Sequence, residues 1–188
     1  MNRPGGTPAV IGIAGWKNSG KTTLVTRLVA EFTARGFRVA TVKHAHHDFQ
    51  IDDADTDSAR HRRAGAAQVA VVSARRWALV REITGGPEPS LEETIARLDP
   101  CDIVVVEGYK RAPIRKIETR RRAAARATPL AETDPNVIAI AADHPCEAAG
   151  RPVLALDDAP TIADFIMERL GLAPPSHGIT AGIAGNQC

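Results

Sequence analysis

The chain has 188 residues, 44% hydrophobic and 24% charged, with a net charge of +2. That length suits one domain with a sizeable core, and the composition is that of a globular protein rather than a disordered or fibrous one. The charge balance argues neither for nor against a nucleic-acid partner, but 4% aromatic residues leave little for a base-stacking platform, and no apolar run approaches the roughly 20 residues of a membrane span.

Residues 1–8 carry two Pro and two Gly and read as a loose arm without the apolar centre of a signal peptide. Val10–Ala14 is a short apolar run of the kind that forms a buried strand. It leads into Gly15-Trp16-Lys17-Asn18-Ser19-Gly20-Lys21-Thr22, which fits G-x-x-x-x-G-K-[ST] at every fixed position. Leu24, Val25, Leu28, Val29 and Phe32 then recur at helical spacing up to about Ala34, with Gly36 as the expected C′ residue. Strand, glycine loop and helix together are the context that a phosphate-binding loop requires. Gly15 and Gly20 let backbone amides close around phosphates, and the helix adds its positive dipole end. Lys21 is expected to reach the β- and γ-phosphates, and the Thr22 hydroxyl to ligate Mg²⁺.

Residues 37–43 read as a second strand, reached by a right-handed parallel crossover. Residues 44–57 follow as a polar loop with three His and five Asp. His44, His46 and His47 there are candidates for a metal site, for a segment that senses the γ-phosphate, or for plain solvated loop. Asp52 or Asp57 is a candidate second ligand to Mg²⁺ through water. A short helix over 58–64 closes at Gly65, and strands 68–73 and 77–82 flank Arg75-Arg76. Ser90 and Glu93 form a capping box that opens a helix running to Leu98.

Ile103–Val106, bounded by Asp102 and Glu107, is a central parallel strand. Ligands gather at the carboxyl ends of such strands, so Glu107, not Asp102, is the expected acidic group near Mg²⁺. The basic run 110–122 is either a surface for anions or a solvated strand and loop, and reversing the charge of Arg115 and Lys116 is expected to separate the two. Val137–Ala142 is a further buried strand with Asp143 at its end. Val153–Leu156 is another, and Pro160 opens a helix closed by Gly171. Residues 9–172 make the domain, and 173–188 read as a tail rich in Pro, Gly and Ser. Cys101, Cys146 and Cys188 form no C-x-x-C, which points to a reducing, cytoplasmic setting.

The P-loop, Val42-Lys43-His44 with His46-His47, Ala64-Gly65-Ala66, Val106-Glu107-Gly108-Tyr109-Lys110 and Lys116-Ile117-Glu118 together resemble the MobB family of molybdopterin-guanine dinucleotide biosynthesis adapter proteins over roughly residues 9–168. The resemblance implies an α/β, P-loop NTPase-like three-layer fold with a mostly parallel central sheet. It also implies binding and weak hydrolysis of GTP with Mg²⁺, a homodimer formed partly by sheet extension, and partnership with the MobA guanylyltransferase and molybdopterin cofactor. Carried over by position, Gly15, Trp16, Lys17, Asn18, Ser19, Gly20, Lys21, Thr22 and Thr23 hold phosphates and metal, and Glu107 is the acidic strand-end group. Asp143 is placed either to accept from a guanine edge or to cap a turn. A nucleotide-dependent metallochaperone using His44, His46 and His47 is the alternative, and a small-molecule kinase a third reading. The expected role is the adapter.

Overall fold

Short apolar runs, too short for helices, become most of the strands of one sheet. A computed structural model of the chain describes residues 6–45, 56–124 and 128–175. These form two compact units, one from the described part of Met1–His44 and Ile95–Cys188 and one from that of Ala45–Thr94.

In the first unit, β1 (Ala9–Ala14), β2 (Val39–Lys43), β5 (Ile103–Glu107), β6 (Lys116–Arg120), β7 (Val137–Ala142) and β8 (Val153–Ala155) make a six-stranded sheet in the order β2-β5-β1-β6-β7-β8. All its pairings are parallel. Two helices, α1 (Lys21–Ala34) and α4 (Ala159–Leu170), cover one face. Leu24, Leu28 and Phe32 of α1 and Ile162 and Ile166 of α4 pack with Ile11, Ile13, Ile103, Val105 and Ile117. Each of these is at most 1% exposed. On the opposite face irregular chain packs over part of the sheet. Ala131, in the 3-10 turn Leu130–Glu132, packs with Val137, Ile140 and Ala142, and Ile114 lies over Gly12.

The ends of α1 and α4 sit where the sequence puts them. Gly36, at φ 85, follows α1 and donates its amide to Thr33 O. Asp158 caps α4 by accepting from Thr161 N, and Gly171 ends it at φ 64. No helix among the described residues is long and apolar enough to cross a membrane.

The second unit contains α2 (Asp57–Arg63), the antiparallel hairpin of β3 (Gln68–Val72) and β4 (Trp77–Arg81), and most of α3 (Leu91–Ile95). Ser90 and Glu93 form the expected reciprocal cap, but α3 stops at Ile95 instead of Leu98. Leu98 N donates to Ile95 O, three residues back, so the chain leaves the α-helix in a tighter turn. The hairpin leaves Val72 74%, Trp77 64% and Leu79 51% exposed.

β6 overturns both readings for the centre of the basic run, whereas Arg111, Arg115 and Arg122 on either side of it are exposed. Lys116, Ile117, Glu118 and Thr119 are each at most 1% exposed, so they neither face anions nor lie on a solvated surface. Lys116 survives burial because its ammonium spends all three donors, on Lys110 O, Ala112 O and Asp134 Oδ2 at 2.8, 2.8 and 2.6 Å. Arg115 donates to Arg169 O.

Burial works against the Asp134 carboxylate, but hydrogen bonds from Lys116 and from the backbone and side chain of Asn136 outweigh it and hold its pKa below the ordinary value. A depressed carboxylate contributes stability above its unfolded pKa and loses it as pH falls through the folded one. Asp134→Asn is therefore expected to cost about 1.5–3 kcal/mol at pH 7. The gap to wild type should narrow below about pH 4. Urea unfolding at both pH values measures this; an equal gap at both would show that the carboxylate's charge contributes nothing.

Candidate functional site

The loop between β1 and α1 is shaped by close approach. A Cβ on Gly15 would stand 2.5 Å from both Ser19 Oγ and Thr119 Oγ1, and one on Gly20 would stand 2.9 Å from Arg121 Nε. Gly20 also sits at φ 95, where a side chain is strained. Asn18 takes φ 63, a left-handed conformation that Asn tolerates better than most residues. From behind, β6 braces the loop. Ser19 Oγ lies 2.7 Å from Thr119 Oγ1, and that hydroxyl donates to Ala14 O.

No side chain caps α1, and its first turn holds no acidic residue. Its leading amides therefore keep their positive end for an anion. Lys21 Nζ donates to Trp16 O at 2.6 Å, which draws the ammonium across the loop. Thr22 Oγ1 donates to Glu107 Oε1 at 2.8 Å, and Lys43 Nζ stands 3.5 Å from the same oxygen. Burial lowers the pKa of Lys21; Glu107 opposes that, and Lys110 and Lys43 reinforce it. Three lysines and one buried carboxylate thus meet at the carboxyl edge of the sheet. This arrangement can hold a polyphosphate, and its hydroxyl and carboxylate oxygens suit a hard divalent cation.

The rim is built from distant chain. Trp16 Nε1 donates to Thr128 O at 2.8 Å, and Lys110 Nζ lies 4.0 Å from the centre of the Trp16 ring. Beside the loop a cavity of about 170 Å³ is lined by Trp16, Ser19, Thr119, Arg121 and His144 among others.

Residues 10–143 match the family described as Molybdopterin guanine dinucleotide synthesis protein B. The chain belongs to the MobB family. Over 160 residues it is 41% identical to the molybdopterin-guanine dinucleotide biosynthesis adapter protein of Haemophilus influenzae, covering 84% of this chain and 86% of that one. Identity to the adapter protein of the same name from Escherichia coli is 37% over 161 residues, covering 85% and 91%. Among solved structures, a molybdopterin-guanine biosynthesis protein B aligns with TM-score 0.66 and 27% identity, covering 86% of this chain and 99% of that one. A MobB homologue from Bacillus stearothermophilus aligns at 0.62 and 27%, covering 87% and 99%. The α/β, P-loop NTPase-like fold expected from the resemblance is the MobB fold seen here.

In this MobB-family chain the structure brings Gly15–Thr22, Glu107 and Lys43 together. Trp16, Lys17 and Asn18 are exposed along the loop, as are Thr22 and Thr23 at the start of α1. Asp143 follows β7, where its Oδ1 accepts from Arg122 N and lies 2.8 Å from His144 Nδ1. These two contacts, His144 first, lower its pKa, and they are the contacts of a turn cap. Asp52, His46 and His47 lie outside the described residues. His44 packs its ring 4.9 Å from that of Tyr109, and Asp57 faces Arg60 at 3.6 Å within α2. No group of three His, Cys, Asp or Glu side chains among the described residues is placed to hold a metal. Sequence reasoning gave no individual site role to Lys43 or Thr119 and placed Arg121 only within the basic run. A hydroxyl inside an otherwise charged run was the only sign of Thr119.

Proposed function

We propose that this chain is a GTP-binding adapter, with at most weak GTPase activity, that assists guanylation of molybdopterin to the molybdopterin-guanine dinucleotide form of the molybdenum cofactor. The observation that carries the reading is the Thr22–Glu107 contact of 2.8 Å at the uncapped start of α1, in a chain whose relatives are named adapters of that biosynthesis. Lys21 and the amides of Gly15–Thr22 would hold the phosphates, with Thr23 behind them. Thr22 and Glu107 would hold Mg²⁺, which supplies charge neutralisation between the phosphate oxygens when bound. In this reading Asp143, the residue before His144 of the cavity wall, is the group assigned to the guanine edge.

The partner in this reading is a MobA-type guanylyltransferase, with molybdopterin cofactor as the shared ligand. A second copy of the chain would cover the apolar β3–β4 hairpin, where Val72, Trp77 and Leu79 are more than half exposed. The test is a reconstitution. Guanylyltransferase, molybdopterin, GTP and Mg²⁺ are combined with and without this protein, and the guanylated cofactor is quantified. A gain that needs the protein and fails with Lys21→Ala supports the reading. No gain, together with no association between the two proteins, overturns it.

A further inference from the structure

The MobB match and the P-loop account for Lys21 but leave Lys110 unexplained. Lys110 follows β5 by three residues, on the same carboxyl edge as Glu107, and its ammonium reaches the loop itself. It stands 4.0 Å over the ring of Trp16, the residue whose carbonyl holds Lys21 Nζ.

Its backbone is pinned on every side. Gly108 N donates to Ile13 O and Ala112 N to Tyr109 O. Lys110 O accepts from the buried ammonium of Lys116. Tyr109, held at φ 43, a costly conformation for an aromatic residue, rests its ring against His44. All of this fixes where the Lys110 side chain starts.

The end of that side chain is held far less firmly. Lys43 has Glu107, Lys116 has Asp134 and Arg27 has Asp157. Among the described residues Lys110 has no carboxylate, only the face of Trp16. A partly exposed cation over an aromatic ring is a weak contact beside a charge-assisted hydrogen bond to phosphate. Lys110 also acts electrostatically on Lys21, so a negative charge beyond Lys21 would relieve repulsion between them. A diphosphate would fill the loop; the terminal phosphate, which Lys21 would share with the β-phosphate, would lie farther out, toward the strand carrying Glu107.

Resting on the nucleotide reading above, we propose that Lys110 is the residue that distinguishes a nucleoside triphosphate from a diphosphate, leaving Trp16 to pair with the terminal phosphate. Only side-chain torsions change, and Trp16 loses its cation when the triphosphate binds.

The test is calorimetric titration of GTP and of GDP, each with Mg²⁺, into wild type, Lys110→Met and Lys110→Arg. Removing a charge-assisted bond to phosphate should weaken GTP about tenfold or more in Lys110→Met. GDP binding should stay within about twofold, since it makes no such bond. Lys110→Arg, which keeps the charge, should retain most of the preference. In a Trp77→Phe background, Trp16 emission should change with GTP but not with GDP, and the difference should vanish in Lys110→Met. Equal weakening of both nucleotides, or of neither, overturns the role of Lys110 while leaving the nucleotide site standing. Failure of wild type to bind either nucleotide would remove both.

Discussion

Lys21→Ala is expected to cost nucleotide affinity about a hundredfold or more, because hydrogen bonds from an ammonium to phosphate contribute about 1.5–3 kcal/mol each and in the proposed site Lys21 would supply at least two to adjacent phosphates. The same change should barely disturb folding. Lys21 is the first residue of α1, Ala favours helix at least as well, and the ammonium's hydrogen bond is to Trp16 O within its own loop. Its loss is expected to cost less than about 1 kcal/mol of stability. The ammonium must be protonated to bind. Burial, only partly opposed by Glu107, lowers its pKa, so wild-type affinity should fall at alkaline pH sooner than for an ordinary lysine near 10.5. Titration of GTP into both proteins across pH 7 to 10, with a thermal melt of each, separates the two effects. Affinity unchanged at pH 7 would remove Lys21, and the phosphate site with it.

That site was legible because its parts are local. Gly15, Gly20, Lys21 and Thr22 stand within eight residues, and Ile103–Val106 announces a buried strand whose carboxyl end must lie beside the loop in a parallel sheet. Placing Glu107 against Thr22 needed only that rule. The strands at 68–73 and 77–82 were visible for the same reason, as two short runs around Arg75-Arg76, but their antiparallel pairing is a finding of the structure. β6 was not visible. Lys116, Glu118 and Arg120 alternate with Ile117 and Thr119, which reads as one wet face, and the partners that make those charges compatible with burial are elsewhere in the chain. Asp134 lies eighteen residues from Lys116, and Glu118 is satisfied by amides twelve and thirteen residues on. No local window contains that information. Lys110 was visible as part of a motif, but its seat over Trp16 depends on the Gly108–Tyr109 turn and on Lys116, so its direction emerges only when β6 is inside. The packing over β7 was illegible too, since a 3-10 turn at 130–132 supplies it where helical periodicity would have been the only clue.

Glu118→Ala is the second large effect, and it tests whether that hidden strand supports the site. Glu118 is 1% exposed. Its Oε1 accepts from Leu130 N at 2.9 Å, and its Oε2 from Ala131 N at 3.0 Å and Arg120 Nη2 at 2.7 Å. Arg120 Nε is already buried without a partner, so removing the carboxylate leaves a guanidinium charge and two buried amides poorly satisfied. Breaking one side of such a buried pair costs about 3–5 kcal/mol. The effect should not stop at stability. Leu130 and Ala131 anchor the chain that brings Thr128 O to Trp16 Nε1, and Thr119, the next residue of β6, braces Ser19. The folded fraction of Glu118→Ala should therefore bind GTP more weakly than wild type, although Glu118 is not expected to touch the nucleotide. Urea unfolding measures the first effect, and GTP titration below the unfolding transition the second. Glu118→Gln separates charge from shape: it keeps one acceptor for Leu130 or Ala131 but turns a donor toward Arg120 or an amide. It should recover part of the stability and most of the affinity if the strap to Trp16 is what matters. A Glu118→Ala protein as stable as wild type would mean that Arg120 and the two amides find other partners. Lost stability with full affinity would mean that Trp16 and the loop hold their shape without the strap.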